Sequence, residues 1–162
     1  MPRDAAQSAQ PTAPAVDRRA GDRAAAPYRI EDQIGFLLRR AHQRATSLFQ
    51  SLIGDHDVTP TQYTSLVKLR EHGELSQNRL GRLVAMDKAT AQGVVRRLRA
   101  RKLVNARTDP GDARRVLLKL TPAGRKLVVA LIANGPRVSQ ETLQPLSPAE
   151  RRTLLDLLRR IG

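Results

Sequence analysis

The chain has 162 residues, with 29 Lys or Arg against 15 Asp or Glu, so its formal net charge is +14. This length predicts one domain with a hydrophobic core. The chain has no cysteine, which excludes a thiol-based redox sensor, and its positive charge favours nucleic acid as a partner. No stretch is apolar enough to span a membrane or to serve as a signal peptide, so we expect no membrane partner and a cytoplasmic location.

Residues 1–26 are rich in Ala, Pro and Arg and show no hydrophobic period. They offer too little apolar surface to offset the entropy lost on ordering, so we expect a disordered N-terminal tail. A short extra helix near residues 17–26 is the alternative. Residues 27–162 are then expected to form a single domain.

The first two helices are predicted from hydrophobic periodicity and from capping. Apolar residues at helical spacing predict a first helix over about residues 31–53. These residues are Ile30, Ile34, Leu37, Leu38, Ala41, Ala45, Leu48 and Leu52. Thr59, Pro60 and Gln62 form a capping box with proline at the first helical position, which predicts a second helix ending near Gly73.

Two short helices joined by a tight turn come next. Ser76 is expected to cap the first of them by accepting hydrogen bonds from free backbone N–H groups, and Asp87 is expected to cap the second. The turn falls at Ala85 and Met86. The apolar side chains of the second short helix lie at helical spacing and should face the core: Ala91, Val94, Val95 and Leu98.

The opposite face of the second short helix is the expected recognition surface. Its N-terminal turns, which in a helix-turn-helix enter the major groove, present Lys88, Thr90 and Gln92. Gln pairs bidentately with adenine, and Thr contacts a base edge or a thymine methyl group. Gly93 costs about 1 kcal/mol relative to Ala in an exposed helix. We therefore expect it to allow either close backbone approach to DNA or tight packing against the preceding helix.

A strand-turn-strand segment follows the second short helix. Two strands are expected, at residues 104–108 and 115–120, joined at Asp109-Pro110-Gly111-Asp112, where Pro presets φ and Gly tolerates positive φ. An arginine at the hairpin tip, such as Arg114, suits a narrow minor groove, where the negative potential is enhanced. The alternative is a solvated hairpin in which Asp112 pairs with Arg114 or Arg115.

Positive charge is concentrated on this unit. Residues 75–126 contain 14 Lys or Arg and 3 acidic residues, and so carry +11 of the net +14. The residues expected to bind DNA are Ser76, Gln77, Lys88, Ala89, Thr90, Gln92, Gly93, Arg96, Arg97, Arg107, Asp112, Arg114 and Arg115.

The end of the chain predicts two further helices. Thr121-Pro122 begins a long helix that Gly135-Pro136 should kink, because proline removes a backbone hydrogen bond. Ser147-Pro148-Ala149-Glu150 is another capping box and begins a final amphipathic helix. The fold class is therefore mainly α with a small β wing.

The helices at the two chain ends have too little core between them to stand alone. We expect residues 27–58 and 122–162 to form dimerisation helices that pack against a second copy, giving a homodimer. Residues 59–121 are expected to form a winged helix-turn-helix lobe, which makes double-stranded DNA the first candidate partner.

Residues 109–124, DPGDARRVLLKLTPAG, resemble the wing signature of the MarR family of bacterial transcriptional regulators. In that signature an acidic residue, a spacer and an arginine precede a strand ending in Leu-Thr and a helix-opening Gly. Residues 37–42 and 59–63 also match segments common in the family. The resemblance covers about residues 28–161. It implies a homodimer, binding to a pseudopalindromic operator, and release by a small, often aromatic, acid.

All four aromatic residues lie in the region of the first two helices: Tyr28, Phe36, Phe49 and Tyr63. At 100° per residue, one flank of the first helix carries aromatic rings beside Arg39 and His42. An arginine fork and aromatic walls suit a small planar carboxylate. We therefore predict an effector site formed by Tyr28, Arg39, His42, Phe49 and Tyr63. The alternative is that the aromatic residues are core and Arg39 is a solvated surface residue.

The first-helix segment also resembles the subgroup that regulates nicotinic acid catabolism, which implies 6-hydroxynicotinate as the effector. Another subgroup, with an N-terminal extension, senses urate and typically uses a tryptophan. This chain has no tryptophan, which counts against that subgroup.

Nothing in the sequence predicts catalysis, a cofactor or a metal site. His42, His56 and His72 share no metal-ligand spacing, and Asp55-His56-Asp57 is predicted to be a loop. No phosphate loop or catalytic constellation is found. We therefore predict a sequence-specific, ligand-responsive repressor. The alternatives are a sequence-tolerant nucleoid-type protein without an effector, for which basic charge suffices, and an enzyme of unknown class.

Overall fold

The computed structural model describes residues 27–53 and 56–162, so the predicted N-terminal tail and Asp55 lie outside the described residues. A 3₁₀ turn, Ile30–Asp32, comes first. The elements that follow are α1 (Ile34–Ile53), α2 (Pro60–His72), β1 (Glu74–Ser76), α3 (Gln77–Leu83), α4 (Lys88–Ala100), β2 (Val104–Asp109), β3 (Asp112–Leu120), α5 (Pro122–Thr142) and α6 (Pro148–Ile161). The mainly α class with a β wing is confirmed.

The predicted caps fix the starts of α2 to α6. The capping box of α2 is complete, because the Thr59 hydroxyl accepts from the Gln62 amide at 3.3 Å and the Gln62 side chain accepts from the Thr59 amide at 3.0 Å. Ser147 and Glu150 form the same reciprocal pair at α6. The other three caps are single side chains, namely Ser76 for α3, Asp87 for α4 and Thr121 for α5.

The first helix differs from the prediction. It begins at Ile34 rather than near residue 31, because Gln33 is extended and ends the 3₁₀ turn. Its buried residues are Phe49 and Ile53, both in its last turns. The predicted apolar stripe therefore stays on the surface of the single chain over the first half of the helix.

The sheet has three strands, one more than predicted, in the order β1-β3-β2. The additional strand, β1, pairs antiparallel with β3 and sets Leu75 opposite Leu118. Strands β2 and β3 form the predicted hairpin, with Asp109 opposite Asp112 across Pro110-Gly111. Both hairpin strands extend further toward the turn than expected.

The core lies between α2, α4, α5 and the sheet. Its fully buried side chains include Leu66, Leu69, Leu98, Leu118 and Leu131. Helix α5 continues through Gly135-Pro136 to Thr142 as one helix. No residue of α6 is buried. Among the helices that the structure describes, none is both long enough and apolar enough to cross a membrane.

Candidate nucleic-acid interface and effector cleft

The turn between α3 and α4 is built at Ala85 and Met86, as predicted. Ala85 has a φ of 52°, and the Met86 amide donates to the Gly81 carbonyl at 2.8 Å. The two helices approach closely at Gly81, where an added Cβ would lie 3.6 Å from the Cβ of Ala91. This contact fixes the orientation of α4 relative to α3.

Gly93 is not the residue that allows the two helices to pack. An added Cβ at Gly93 would contact only the side chain of Arg97, at 3.7 Å or more. The expectation that Gly93 packs against the preceding helix is therefore wrong, because Gly81 has that role. A close backbone approach to DNA at Gly93 stays a prediction.

A groove of about 350 Å³, here the basic groove, lies between α4, the start of α3 and β3. Its lining carries five cationic side chains and no acidic one. The lining residues are Ser76, Gln77, Asn78, Lys88, Gln92, Val95, Arg96, Arg99, Arg114, Arg115 and Val116. Seven of these were predicted to bind DNA: Ser76, Gln77, Lys88, Gln92, Arg96, Arg114 and Arg115.

Four further residues predicted to bind DNA lie on the neighbouring surface of α4: Ala89, Thr90, Gly93 and Arg97. The Thr90 hydroxyl donates to Asp87 Oδ2 at 2.8 Å, while the Thr90 amide donates to Asp87 Oδ1 at 2.7 Å. These bonds, the amide bond above all, hold the pKa of Asp87 below its usual value. Thr90 therefore completes the cap and remains an exposed residue of α4.

The structure does not bring Arg107 to the basic groove. Its Nε and Nη2 donate to the two carboxylate oxygens of Glu74, at 3.1 and 2.8 Å, and this pairing raises the pKa of Arg107. Arg107 lies opposite Leu117. Because alternate residues of a strand face opposite sides, Arg107 shares the sheet face of Leu117 rather than that of Arg114 and Val116.

The wing tip is shaped by two acidic residues, though not through the predicted ion pair. Asp112 Oδ1 accepts from the backbone amide of Arg114 at 3.0 Å. The partner of Arg115 is Asp109, with Nε 3.4 Å from Oδ2. The predicted pairing of Asp112 with an arginine side chain is wrong, because the short turn directs Asp112 to the main chain. Arg114 stays exposed at the tip.

Four residues of the basic groove were missed: Asn78, Val95, Arg99 and Val116. Helical spacing could have identified Arg99, because Lys88, Gln92, Arg96 and Arg99 follow one flank of α4 at intervals of four, four and three residues. Val116 could not be placed without the register of β3.

A second cleft, here the aromatic cleft, has a volume of about 470 Å³ and lies between α1, α2 and α5. The rings of Phe49 and Tyr63 form one wall, with centroids 5.5 Å apart and planes tilted by 57°. Burial raises the pKa of Tyr63. Its hydroxyl lies against Gly135, where an added Cβ would collide with it. The absence of a side chain at Gly135 therefore leaves room for the Tyr63 hydroxyl.

Only two of the five predicted effector residues, Phe49 and Tyr63, line the aromatic cleft. Tyr28 is 76% exposed, and Arg39 and His42 are also exposed on α1. Arg39 lies ten residues before Phe49, about 15 Å along the helix. One chain therefore does not assemble the predicted cluster.

The charged residue that lines the aromatic cleft is Glu71. It accepts a hydrogen bond from Lys68 at 2.8 Å, which lowers the pKa of Glu71. The remaining lining is largely apolar, with Ile53, Val67 and Ile132 among its residues. The cleft suits a flat apolar ring and, by itself, offers no cation to a carboxylate.

Comparison with known proteins decides the family. The family described as "MarR family" matches residues 56–115, from before α2 to the wing. The HTH-type transcriptional repressor NicR of Pseudomonas putida is 42% identical over 135 residues, which cover 83% of this chain and 85% of NicR. The chain belongs to the MarR family.

Solved structures agree with this family assignment. Bordetella bronchiseptica BpsR, whose DNA binding is regulated by 6-hydroxynicotinic acid, has a solved structure that is 42% identical with a TM-score of 0.78, covering 84% of this chain and 97% of that one. A mutant of E. coli MarR complexed with operator DNA is 25% identical with a TM-score of 0.73, covering 78% and 91%. This MarR-family chain is a DNA-binding transcription regulator. Its similarity to NicR and BpsR agrees with the predicted resemblance to regulators of nicotinic acid catabolism.

Proposed function

We propose that the protein is a homodimeric transcriptional repressor that a small aromatic carboxylic acid releases from a pseudopalindromic operator. 6-Hydroxynicotinate is the leading candidate for the acid. The observation that carries the proposal is the basic groove, in which five cations and Gln92 lie between the start of α4 and the wing. Its relatives carry the names of regulators, and we propose a regulatory rather than catalytic role in the cytoplasm, where the chromosome lies.

The two sides of the basic groove fit the two grooves of a DNA duplex. The first turns of α4 carry Lys88 and Gln92 and enter the major groove. Arg114 at the wing tip reaches the neighbouring minor groove. The phosphate strand that separates those grooves then crosses the basic groove, where Arg96 and Arg99 neutralise it. Gln92 supplies sequence readout, since a glutamine amide pairs with adenine.

The homodimer is supported by the exposed apolar faces of the terminal helices. Ile34 is 63% exposed, Leu37 46%, Leu157 48% and Ile161 68%. Apolar side chains left exposed along a helix in this way are typical of an interface. A second copy packed on α1 and α6 would bury it and hold two copies of α4 about 34–36 Å apart, as successive major grooves require.

The aromatic cleft is the proposed effector site. Its volume falls within the range of small-molecule pockets, and Phe49 and Tyr63 offer stacking surface to a ring. Glu71 repels a carboxylate, so the carboxylate of the acid points out of the cleft. We propose that Arg39 and His42 of the second copy bind it at the mouth, because those of the same chain lie about 15 and 10 Å along α1 from Phe49.

A competition assay tests the DNA-binding part. An operator selected from random duplexes should bind the wild type about 10³-fold or more tightly than bulk genomic DNA does. Gln92→Ala should lose about 1–3 kcal/mol of discrimination against a mutated base pair. Arg107→Ala, outside the basic groove, is the control and should discriminate against the mutated base pair as the wild type does. Equal affinity of the wild type for operator and bulk DNA would favour the nucleoid-type alternative.

Calorimetric titration with 6-hydroxynicotinate tests the effector part. Gly135→Ala should abolish binding, because the new methyl group takes the place of the Tyr63 hydroxyl and displaces that ring, whereas Gly93→Ala, on α4 away from the cleft, should bind as the wild type does. Arg39→Ala should weaken binding. Operator DNA should also weaken binding of the acid. The factor should equal that by which the acid weakens operator binding, typically 5- to 150-fold or about 1–3 kcal/mol. Equal binding by the wild type and Gly135→Ala would exclude the cleft.

A further inference from the structure

A second cationic groove lies behind the basic groove. It has a volume of about 500 Å³ and runs between the C-terminal half of α4 and strand β2. Arg96, Arg99 and Lys102 line it from the helix side, and Asn105 lines it from the strand. No acidic side chain lines it. We call it the flank groove.

The cations of the flank groove differ from two nearby arginines, Arg101 and Arg107, which have partners. Arg101 donates to the His56 carbonyl at 2.9 Å, and Arg107 binds Glu74. Within residues 27–53 and 56–162, the side chains of Arg96, Arg99 and Lys102 make no ion pair and no hydrogen bond. Arg96 and Arg99 lie only about 4.5 Å apart along the helix axis. Their mutual repulsion is relieved when a polyanion binds.

The position of the flank groove indicates which polyanion binds there. It shares Arg96 and Arg99 with the basic groove, so the two form one continuous cationic surface. Its lining comes from α4, β2 and Lys102 between them, and none comes from α1 or α6, where the second copy is proposed to pack. Strand β2 is an edge of the sheet. The groove therefore stays open in the proposed dimer, on the side of the lobe that carries the wing.

We infer that the flank groove binds the phosphate backbone of the duplex just outside the half-site that α4 reads. Lys102 and Asn105 lengthen the DNA footprint and add affinity without reading sequence, since phosphate contacts carry no sequence information. A protein partner fits less well, because the apolar lining consists of two alanines and the buried Val104, and protein interfaces need larger apolar anchors. This inference rests on the proposed function.

Binding to two operator duplexes at several salt concentrations tests the inference. The short duplex ends at the outer edges of the two half-sites, and the long duplex extends each side by about half a helical turn, roughly five base pairs. Lys102→Asn is the main variant, because Lys102 has a φ of 56°, a conformation that asparagine tolerates. Lys126→Asn, an exposed lysine of α5 outside both grooves, is the matched control. Asn105→Asp adds a negative charge to the groove.

On the long duplex, Lys102→Asn should reduce the slope of log K against log salt by about 0.9 for each phosphate that the variant no longer neutralises. Asn105→Asp should weaken binding to the same duplex. On the short duplex both variants should bind as the wild type does, and their preference for operator over scrambled sequence should be unchanged. Lys126→Asn should match the wild type on both duplexes.

An unchanged slope for Lys102→Asn on the long duplex would overturn the inference. Equal weakening of binding by Lys102→Asn on the short and long duplexes would also overturn it. A wild type that fails to prefer operator over scrambled sequence on the short duplex would overturn the proposed function instead, and the short-duplex arm separates the two failures.

Discussion

The arginines of this chain differ in what their side chains bind, and a count of residues does not show this difference. Four donate to main-chain carbonyl oxygens and so tie segments of the fold together: Arg44, Arg101, Arg125 and Arg151. Four others bind carboxylates: Arg29, Arg107, Arg115 and Arg159. The partner of Arg101 is 45 residues away in sequence, and the partner of Arg107 is 33 away. Only the folded chain therefore shows which cations remain available to DNA.

Gly124→Ala is expected to destabilise the fold. A Cβ at this position would collide with the Leu103 carbonyl oxygen, which already accepts from the Thr121 amide at 3.0 Å and so is held in place. Overpacking of this kind costs about 1–3 kcal/mol, measured as the free energy of unfolding in urea. Gly93→Ala is the matched control and should be neutral or stabilising by up to about 1 kcal/mol, because only a flexible arginine lies nearby. Equal stability of Gly124→Ala and wild type would contradict the expected collision.

Among the elements, those with local signals were predictable and those set by tertiary pairing were not. The starts of α2 to α6 follow from capping side chains one turn away, and the hairpin from Pro110-Gly111. Strand β1 has three residues, too few for a period, and exists because Leu75 pairs with Leu118. The aromatic cleft depends on how α1, α2 and α5 pack. The pattern of side chains along α1 therefore identified Phe49, but it could not identify Gly135 on α5.

The stability contributed by the cap of α4 should depend on pH. The folded-state pKa of Asp87 is lowered by its hydrogen bonds to Thr90, the amide bond first. A lowered folded pKa means that the stabilisation is present above the usual carboxyl pKa and is lost as pH falls through the folded value. Asp87→Asn keeps a capping oxygen but does not titrate.

Thermal unfolding measured between about pH 5 and pH 2 should therefore show a smaller loss of stability for Asp87→Asn than for the wild type. The other carboxylates titrate in both proteins, so the difference between the two curves isolates Asp87. Parallel curves would show that this carboxylate does not support the helix through its charge.

At the scale of the whole molecule, one core includes the last turns of α1 and the first half of α5, and it leaves the apolar faces of the first half of α1 and of α6 unburied. The buried side chains of α2, α4 and the sheet belong to one cluster, whereas α6 contributes no buried residue. The sequence pattern predicted these apolar faces from their period alone. It could not show that Arg39 and His42 lie outside the aromatic cleft, because the cleft is formed by the packing of α1, α2 and α5.

A pair of substitutions on the terminal helices should separate the proposed dimer without unfolding the lobe. Leu37 on α1 and Leu158 on α6 are 46% and 36% exposed in the single chain, so glutamate is solvated there in the monomer. A dimer would have to bury both carboxylates, at a cost of several kcal/mol each. Sedimentation equilibrium should show a dimer for the wild type and a monomer for Leu37→Glu/Leu158→Glu, with unchanged circular dichroism.

Leu83→Glu is the control for this experiment, since Leu83 is a comparably exposed leucine, at 38%, on α3 in the lobe. It should remain dimeric. The monomeric variant should also bind the two-half-site operator with about half the salt slope of the wild type, because it neutralises half the phosphates. A double variant that stays dimeric would place the second copy on a different surface, and the two-fold arrangement of α4 proposed above would then be wrong.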